Sequence, residues 1–314
     1  MKERLKSFAR NNGSFMILAV LAILAVLAVP NFASVANISI IIKQSAIPVA
    51  ACIGMTLVLM TGGIDLSLGY IVGFTSITCG ILVKSLGMPI PIAVAMTLLT
   101  GSAFGLMNGF ITQYMKVPAF ITTLGTGYVI YGLAQIVSAG SIINRLPKQF
   151  LAMGKTNILG LPSSVYISLV LALVFYVIVR RSAFGRSLRA FGHNPRSAFL
   201  SGLPTARINV LVYVICGTLA ALAGMLFTIR VNAAQPNMGG GSFTFEVVTA
   251  VIIGGTSLFG GVGSIIGSVF GVLSIKIIEN CINLLGVSYY LYLAVQGVII
   301  LLAIIFENLK NKSL

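Results

Sequence analysis

The sequence predicts an all-α polytopic membrane protein with about ten transmembrane helices and both termini in the cytoplasm. Of its 314 residues, 58% are hydrophobic and only 8% are charged, and the mean hydropathy is +1.06. A soluble domain carries roughly a quarter charged residues, so this chain lacks the polar side chains that a water-facing surface requires. The lipid bilayer is therefore predicted to be its solvent.

Ten apolar stretches account for the predicted helices. A spanning helix needs about 20 apolar residues because it rises about 1.5 Å per residue through roughly 30 Å of hydrocarbon. The stretches that approach this length are 14–30, 45–61, 65–83, 89–114, 117–139, 164–180, 207–229, 244–259, 262–281 and 289–306. We predict one transmembrane domain over 14–306, with cytoplasmic tails at 1–13 and 307–314.

Basic residues orient this domain. Lys and Arg total 20 against five Asp and Glu, for a net charge of +15, which in a soluble protein would suggest nucleic acid as the partner. Here most of them lie in short breaks between apolar stretches, with four in the N-terminal tail and five in the loop 180–206. Cytoplasmic loops of membrane proteins carry this excess, so both segments are placed inside, Lys43 is placed in an outer loop, and no nucleic-acid binding is predicted.

Chemistry within the chain itself is not predicted. The four cysteines are widely spaced inside or beside apolar stretches, and His193 is the single histidine. Cysteine and histidine at metal-ligand spacing and a convergent catalytic set are both missing from the sequence. We therefore predict no metal, no cofactor and no catalytic residue in this chain.

Two polar residues in apolar surroundings are candidates for lining a solute path, since ionisable and polar groups in membranes are costly and commonly functional. Asp65 lies in Thr61-Gly62-Gly63-Ile64-Asp65-Leu66-Ser67-Leu68-Gly69. It either caps the following helix or, together with Ser67, borders a water-lined path. Asn108 lies deep in an apolar helix, where it either bonds to a neighbouring helix or lines the same path.

Further candidates lie near the C-terminal third. Glu246 follows a glycine-rich run and is placed in the first turn of a helix, where an acid complements the helix dipole. Alternatively it lies in an outer vestibule with Gln235 and Asn232, where it would meet a solute or a basic residue of a docking protein. Lys276 and Glu279 are three residues apart on one helical face and are predicted to pair.

The loop 180–206 predicts a short helix of its own. Asn194 is a suitable N-cap, Pro195 suits the first helical position and Gly202 suits the stop. The helix would expose apolar and basic residues, which makes it a docking element for another protein or an amphipathic helix on the lipid headgroups. The predicted docking residues are Arg186, Asn194, Pro195, Arg196, Ala198, Phe199, Leu200 and Gly202.

Glycines at every fourth position predict close helix packing. One set is Gly101, Gly105 and Gly109, and the other is Gly263, Gly267 and Gly271. Removing side chains from one helical face lets a neighbouring backbone approach. Contact with a second copy of the chain through these faces remains open.

Several segments together resemble the ribose-type sugar permeases of bacterial ATP-binding-cassette importers, in the expected order over roughly 30–306. They are Gly54-Met55-Thr56-Leu57-Val58 with the 62–69 segment, the loop Phe184–Gly202, Ala234-Gln235-Pro236 with the glycine-rich run before Glu246, the run Gly254–Gly263, and Asn283-Leu284-Leu285-Gly286-Val287. His193 and Arg196 depart from the acidic or neutral residues that are usual in this loop, which leaves partner specificity open.

This resemblance implies a ten-helix permease of the bacterial cytoplasmic (inner) membrane that works as a pair, with a second copy or a paralogue. It also implies two cytoplasmic ATPase subunits, which would hold ATP and Mg, and an extracytoplasmic sugar-binding protein. The helix at 194–202 would then be the coupling helix that docks into the ATPase. Two alternatives stay open, which are an importer of the same kind for branched-chain amino acids or nucleosides, and an ion-coupled transporter or channel that uses Asp65, Glu246 and Glu279.

Overall fold

The computed structural model describes residues 13–312, without the side chains of residues 289, 303 and 306–312. Almost all of the predicted N-terminal tail 1–13 therefore lies outside the described residues. The helices are α1 Gly13–Ala28, α2 Val35–Met60, α3 Leu68–Gly80 with a π-helical turn Ile81–Ser85, α4 Ile90–Tyr114, α5 Ala119–Ser138, α6 Lys148–Lys155, α7 Ser163–Arg181, α8 Ala183–His193, α9 Pro195–Leu200, α10 Thr205–Val231, α11 Gly240–Ile253, α12 Ile265–Leu284 and α13 Tyr289–Lys312.

Seven of these helices are long and apolar enough to cross a membrane, which confirms the predicted all-α, multi-spanning class. They are α2, α3 with its π turn, α4, α5, α7, α10 and α12. Three shorter apolar helices lie at Gly13–Ala28, Gly240–Ile253 and Tyr290–Leu302. The total of about ten spans and the cytoplasmic position of both termini stay predictions.

Helix α2 begins at Val35 rather than at residue 45, so Lys43 lies within a helix and not in a loop. The amide of Asn37 explains the early start, because its Nδ2 donates to the Phe32 carbonyl and to Asn280 Oδ1, both at 2.9 Å. A polar residue that interrupts an apolar stretch is tolerated when such partners satisfy it.

Two helix ends near the C-terminus also differ from the prediction. Helix α11 ends at Ile253 instead of 259, and the chain then turns through Gly255, whose φ is +85°. Positive φ is accessible to glycine at little cost, which explains the early stop. The backbone of α13 continues to Lys312, so the predicted tail 307–314 starts inside a helix, and residues 313–314 lie outside the described range.

Helix α10 packs at the centre of the bundle, against α2, α3 and α4. A methyl group added at Gly105 of α4 would lie 2.2 Å from the carbonyl oxygen of Tyr213 on α10. At Gly271 of α12 it would lie 1.8 Å from the carbonyl oxygen of Ala250 on α11. Both predicted glycine sets therefore serve close packing within this chain.

Short strands close one end of the bundle. Strand β1 (Ile143–Asn144) pairs antiparallel with β4 (Ala233–Ala234), and β2 (Asn157–Ile158) pairs with β3 (Leu161–Pro162). The first pair joins the segment after α5 to the segment after α10, so the two connections at this end hold each other in place.

Candidate docking helix and buried polar clusters

Helices α8 and α9 form a continuous capped unit between α7 and α10. Ser182 Oγ accepts a hydrogen bond from the Gly185 N–H at 3.2 Å at the start of α8. Asn194 Oδ1 accepts one from the Ser197 N–H at 3.0 Å at the start of α9, where Pro195 occupies the first position. Gly202 has φ +78° just after the end. The predicted caps of α9 are confirmed, whereas α8 was not predicted.

The exposed side of α9 carries Arg196, Phe199 and Leu200, which we call the docking face. Phe199 is 67% exposed and Leu200 is 76% exposed, although both are large apolar side chains. Ala198 is buried against its own chain, so the predicted docking residue Ala198 belongs to the support of the helix and not to its exposed face. Arg186 is exposed on α8 and donates to the Arg181 carbonyl at 3.3 Å.

Helix α8 packs directly against the backbone at the end of α2 and in the loop 254–264. A methyl group at Gly192 would lie 1.9 Å from the Met60 carbonyl oxygen and 2.3 Å from the Gly261 nitrogen. The Gly261 N–H in turn donates to that Met60 oxygen at 2.9 Å. Because no side chain separates these segments, a shift of α8 would be passed on to the end of α2 and to the loop 254–264.

Three of the predicted path residues, Asp65, Ser67 and Asn108, form a hydrogen-bonded group with Thr126 near the end of α2. We call these four residues the inner cluster. Asp65 Oδ1 accepts from the Ser67 N–H at 3.0 Å and from Ser67 Oγ at 2.6 Å. Asn108 Nδ2 donates to Ser67 Oγ at 2.8 Å, and Thr126 Oγ1 donates to Asn108 Oδ1 at 2.6 Å. The cluster thus links α4 and α5 to the segment before α3, and Asn108 bonds to neighbouring helices as predicted.

Asp65 does not cap α3 in the predicted manner. Ser67 is the residue before the helix. Asp65 Oδ1 accepts a hydrogen bond from the Ser67 N–H in a turn, and not from an N–H group of the first helical turn. The carboxyl is completely buried beside the Cys216 thiol, and Oδ2 has no oxygen or nitrogen partner in the described part of the chain. The Leu66 N–H donates to Thr123 Oγ1 at 3.0 Å, which fixes the loop against α5.

A second group, the ion cluster, joins α11 to α12. Lys276 Nζ lies 2.7 Å from Glu246 Oε1 and 2.7 Å from Glu279 Oε2. The predicted pair of Lys276 and Glu279 is confirmed, whereas the placement of Glu246 in the first turn of a helix was wrong. Glu246 lies beyond the first turn of α11 because that helix begins at Gly240, and its partner is a lysine of this chain.

The vestibule of Glu246, Gln235 and Asn232 stays a prediction. The Gln235 N–H donates to Ser76 Oγ at 3.2 Å, and Asn232 Oδ1 accepts from the Leu146 N–H at 3.1 Å. Sequence reasoning also missed Thr126, because threonine is common in apolar helices and gives no signal. The pair of Glu246 and Lys276 could have been predicted from the sequence, because two opposite charges inside predicted spans require partners.

Comparison with known proteins gives a consistent result. The family described as "Branched-chain amino acid transport system / permease component" matches residues 37–304. The chain is 35% identical over 314 residues to the ribose import permease protein of Escherichia coli (strain K12), covering 98% of this chain and 96% of that protein. It is 35% identical over 302 residues to the ribose import permease protein of Bacillus subtilis (strain 168), covering 95% and 93%.

A third relative has a different sugar in its name. The L-arabinose transport system permease protein of Escherichia coli (strain K12) is 34% identical over 304 residues, covering 96% of this chain and 91% of the relative. No solved structure matches this chain.

Proposed function

Because this chain belongs to the family of branched-chain amino acid transport system permease components, we propose that it is the membrane-spanning permease subunit of an ATP-binding-cassette importer. The proposed cargo is a monosaccharide. It is delivered by an extracytoplasmic binding protein and moved across the bacterial cytoplasmic membrane by a separate ATPase. The near full-length relatives are named for ribose and L-arabinose, which favours a sugar over the amino acids of the family description and over nucleosides.

The docking face carries this proposal. Two large apolar side chains are exposed beside Arg196 on a helix that is capped at both ends. Exposed apolar residues grouped in this way mark a contact with a protein or a membrane, and the near full-length relatives, which are import permeases, favour a protein. The complementary surface is a cleft on the ATPase with an apolar floor and an acidic rim, and ATP and Mg would be bound by that partner.

The contacts of α8 suggest how ATP hydrolysis is coupled to the bundle. A force on α9 reaches α8, and the backbone contact at Gly192 passes it to the end of α2 and to the loop 254–264. The segment that holds Asp65 begins directly after α2. In a pair of permeases, either two copies or a copy and a paralogue, opposed movements of these segments would open the path on one side and close it on the other.

Charge placed on the docking face tests the proposal. Leu200→Glu puts a carboxylate against the expected apolar floor, and we expect uptake to fall about tenfold or more, which corresponds to about 1.4 kcal/mol of lost contact. Uptake of labelled sugar is measured in proteoliposomes that contain the whole importer, and retention of the ATPase on the purified permease is measured in parallel.

Leu159→Glu is the matched control, because Leu159 is also an exposed leucine but lies beside β2 and β3 at the other end of the bundle. It should leave uptake and ATPase retention unchanged. Full uptake by Leu200→Glu would refute the docking role. Uptake that stops when an ion gradient is collapsed while ATP is kept would instead support the ion-coupled alternative.

A further inference from the structure

Helix α5 has two exposed sides of opposite character. One side carries Val129, Leu133 and Ile136, which are all exposed and suit contact with lipid tails. The other side carries Tyr128, Tyr131 and Gln135, and two glycines, Gly125 and Gly132, lie between the two sides. Residues spaced by three and four positions share a helical face, so each set forms a stripe along the helix.

Tyr70 of α3 completes an aromatic group on the second side. Its ring centroid lies 5.7 Å from that of Tyr128 and 5.8 Å from that of Tyr131. A methyl group at Gly127 would lie 2.7 Å from the Tyr70 ring, so this glycine allows the ring to rest against α5. We call Tyr70, Tyr128, Tyr131 and Gln135 the tyrosine stripe.

The stripe faces open space. Tyr128 is 61% exposed, and a methyl group at Gly125 or Gly132 would meet no atom within 4 Å. At the end of the stripe, Gln135 Nε2 donates to Asn237 Oδ1 at 2.7 Å. Packing within this chain therefore does not explain the two glycines, each of which costs about 1 kcal/mol inside a helix relative to alanine.

Lipid contact does not explain the stripe either. Tyrosine in membrane proteins is enriched at the headgroup level, whereas Tyr128 lies midway along the 20-residue helix α5. Polar groups at this depth face a bundle interior or a water-filled cavity. Because Tyr128 is not in the interior of this chain, its surroundings are either a water-filled path or a second permease copy.

We propose that the tyrosine stripe lines the solute path and stacks on the sugar as it passes. This inference rests on the proposed function and names the residues that would carry it. The C–H faces of a sugar ring pack against aromatic rings, while its hydroxyls bond to phenol and amide groups, and the stripe offers both. Along α5 the tyrosine rings are followed by the hydrogen-bonded amides of Gln135 and Asn237. A sugar moving along the helix would therefore meet stacking groups and then hydrogen-bonding groups.

Accessibility of the stripe is tested with single cysteines in a Cys281→Ser background, because the other three native cysteines are buried. Tyr128→Cys on the stripe is compared with Leu133→Cys on the apolar side, which is also exposed and lies at a similar depth, using a membrane-impermeant maleimide on the whole importer in proteoliposomes. We expect Tyr128→Cys to react at least about tenfold faster, since thiols react as water-exposed thiolates. Equal rates, or a disulfide between two copies at Tyr128→Cys with no labelling, would overturn the proposal.

Stacking is tested by uptake of a panel of aldopentoses and aldohexoses at saturating binding protein. Tyr128→Ala should lower the maximal rate about tenfold, while Tyr128→Phe, which keeps the ring, should lose far less. Phe110→Ala removes an exposed aromatic ring from α4 and should leave uptake unchanged.

Failure of the proposed function and failure of the tyrosine stripe give different results. If the unaltered chain carries no sugar of the panel, the proposed function falls and the stripe falls with it. If the unaltered chain carries a sugar and Tyr128→Ala carries it equally fast, only the stripe is refuted.

Discussion

The inner cluster and the ion cluster bury charge in two different ways. In the inner cluster one carboxylate is held by the N–H and hydroxyl of Ser67, two residues away, and neutral amide and hydroxyl groups extend the network. In the ion cluster three charged side chains on α11 and α12 satisfy one another. The contacts of the Asp65 carboxylate are set by one short motif, whereas the pair of Glu246 and Lys276 exists only if two helices keep their mutual register.

This difference predicts unequal sensitivity to substitution. Removing one member of a buried ion pair leaves an uncompensated charge, which costs more than removing one member of a hydrogen-bonded network. Substitutions in the two clusters can therefore be ranked by what each leaves unpaired.

The largest effect is expected for Lys276→Met, which removes the ammonium group between Glu246 and Glu279 and leaves them only the longer-range charge of Arg230. We expect the free energy of unfolding to fall by about 3–5 kcal/mol, measured in mixed micelles by titration with a denaturing detergent. Lys276→Arg keeps the charge and should retain most of the stability. If Lys276→Met were as stable as the unaltered chain, the cluster would not behave as a buried ion pair.

An intermediate effect is expected for Asp65→Ala, which leaves the buried N–H of Ser67 without its acceptor. The expected loss is about 1–3 kcal/mol in the same unfolding measurement. Asp65→Asn preserves an acceptor oxygen at the position of Oδ1, so it should lose less stability and should keep ATP-driven uptake. Equal damage by both substitutions would show that charge, rather than hydrogen bonding, holds this loop.

The smallest effect is expected for Thr126→Val, which removes the hydrogen bond to Asn108 with little change in shape. Hydrogen bonds between membrane helices contribute about 0.6 kcal/mol on average, and the unfolding free energy should fall by about that amount. Thr100→Val is the matched control, because the Thr100 hydroxyl donates to the Met96 carbonyl of its own helix. A loss at Thr126 above that for Asp65→Ala would reverse the ranking.

The short α9 shows how far local sequence information reaches. Asn194, Pro195 and Gly202 act through their own backbone geometry and their nearest neighbours, so the start and stop of this helix were predictable. The orientation of Ala198 toward its own chain was not, because it depends on where α8 and α10 lie.

The sequence by itself determined that this protein is a multi-spanning helical membrane protein and placed most of its apolar helices, because hydropathy and capping are local properties of the chain. Tertiary structure decided which polar residues meet. Glu246 pairs with Lys276, Asn108 forms hydrogen bonds with Ser67 and Thr126, and Tyr70 packs against the tyrosines of α5. Each of these contacts depends on how helices distant in sequence rotate and pack against one another, and no single stretch of sequence encodes that.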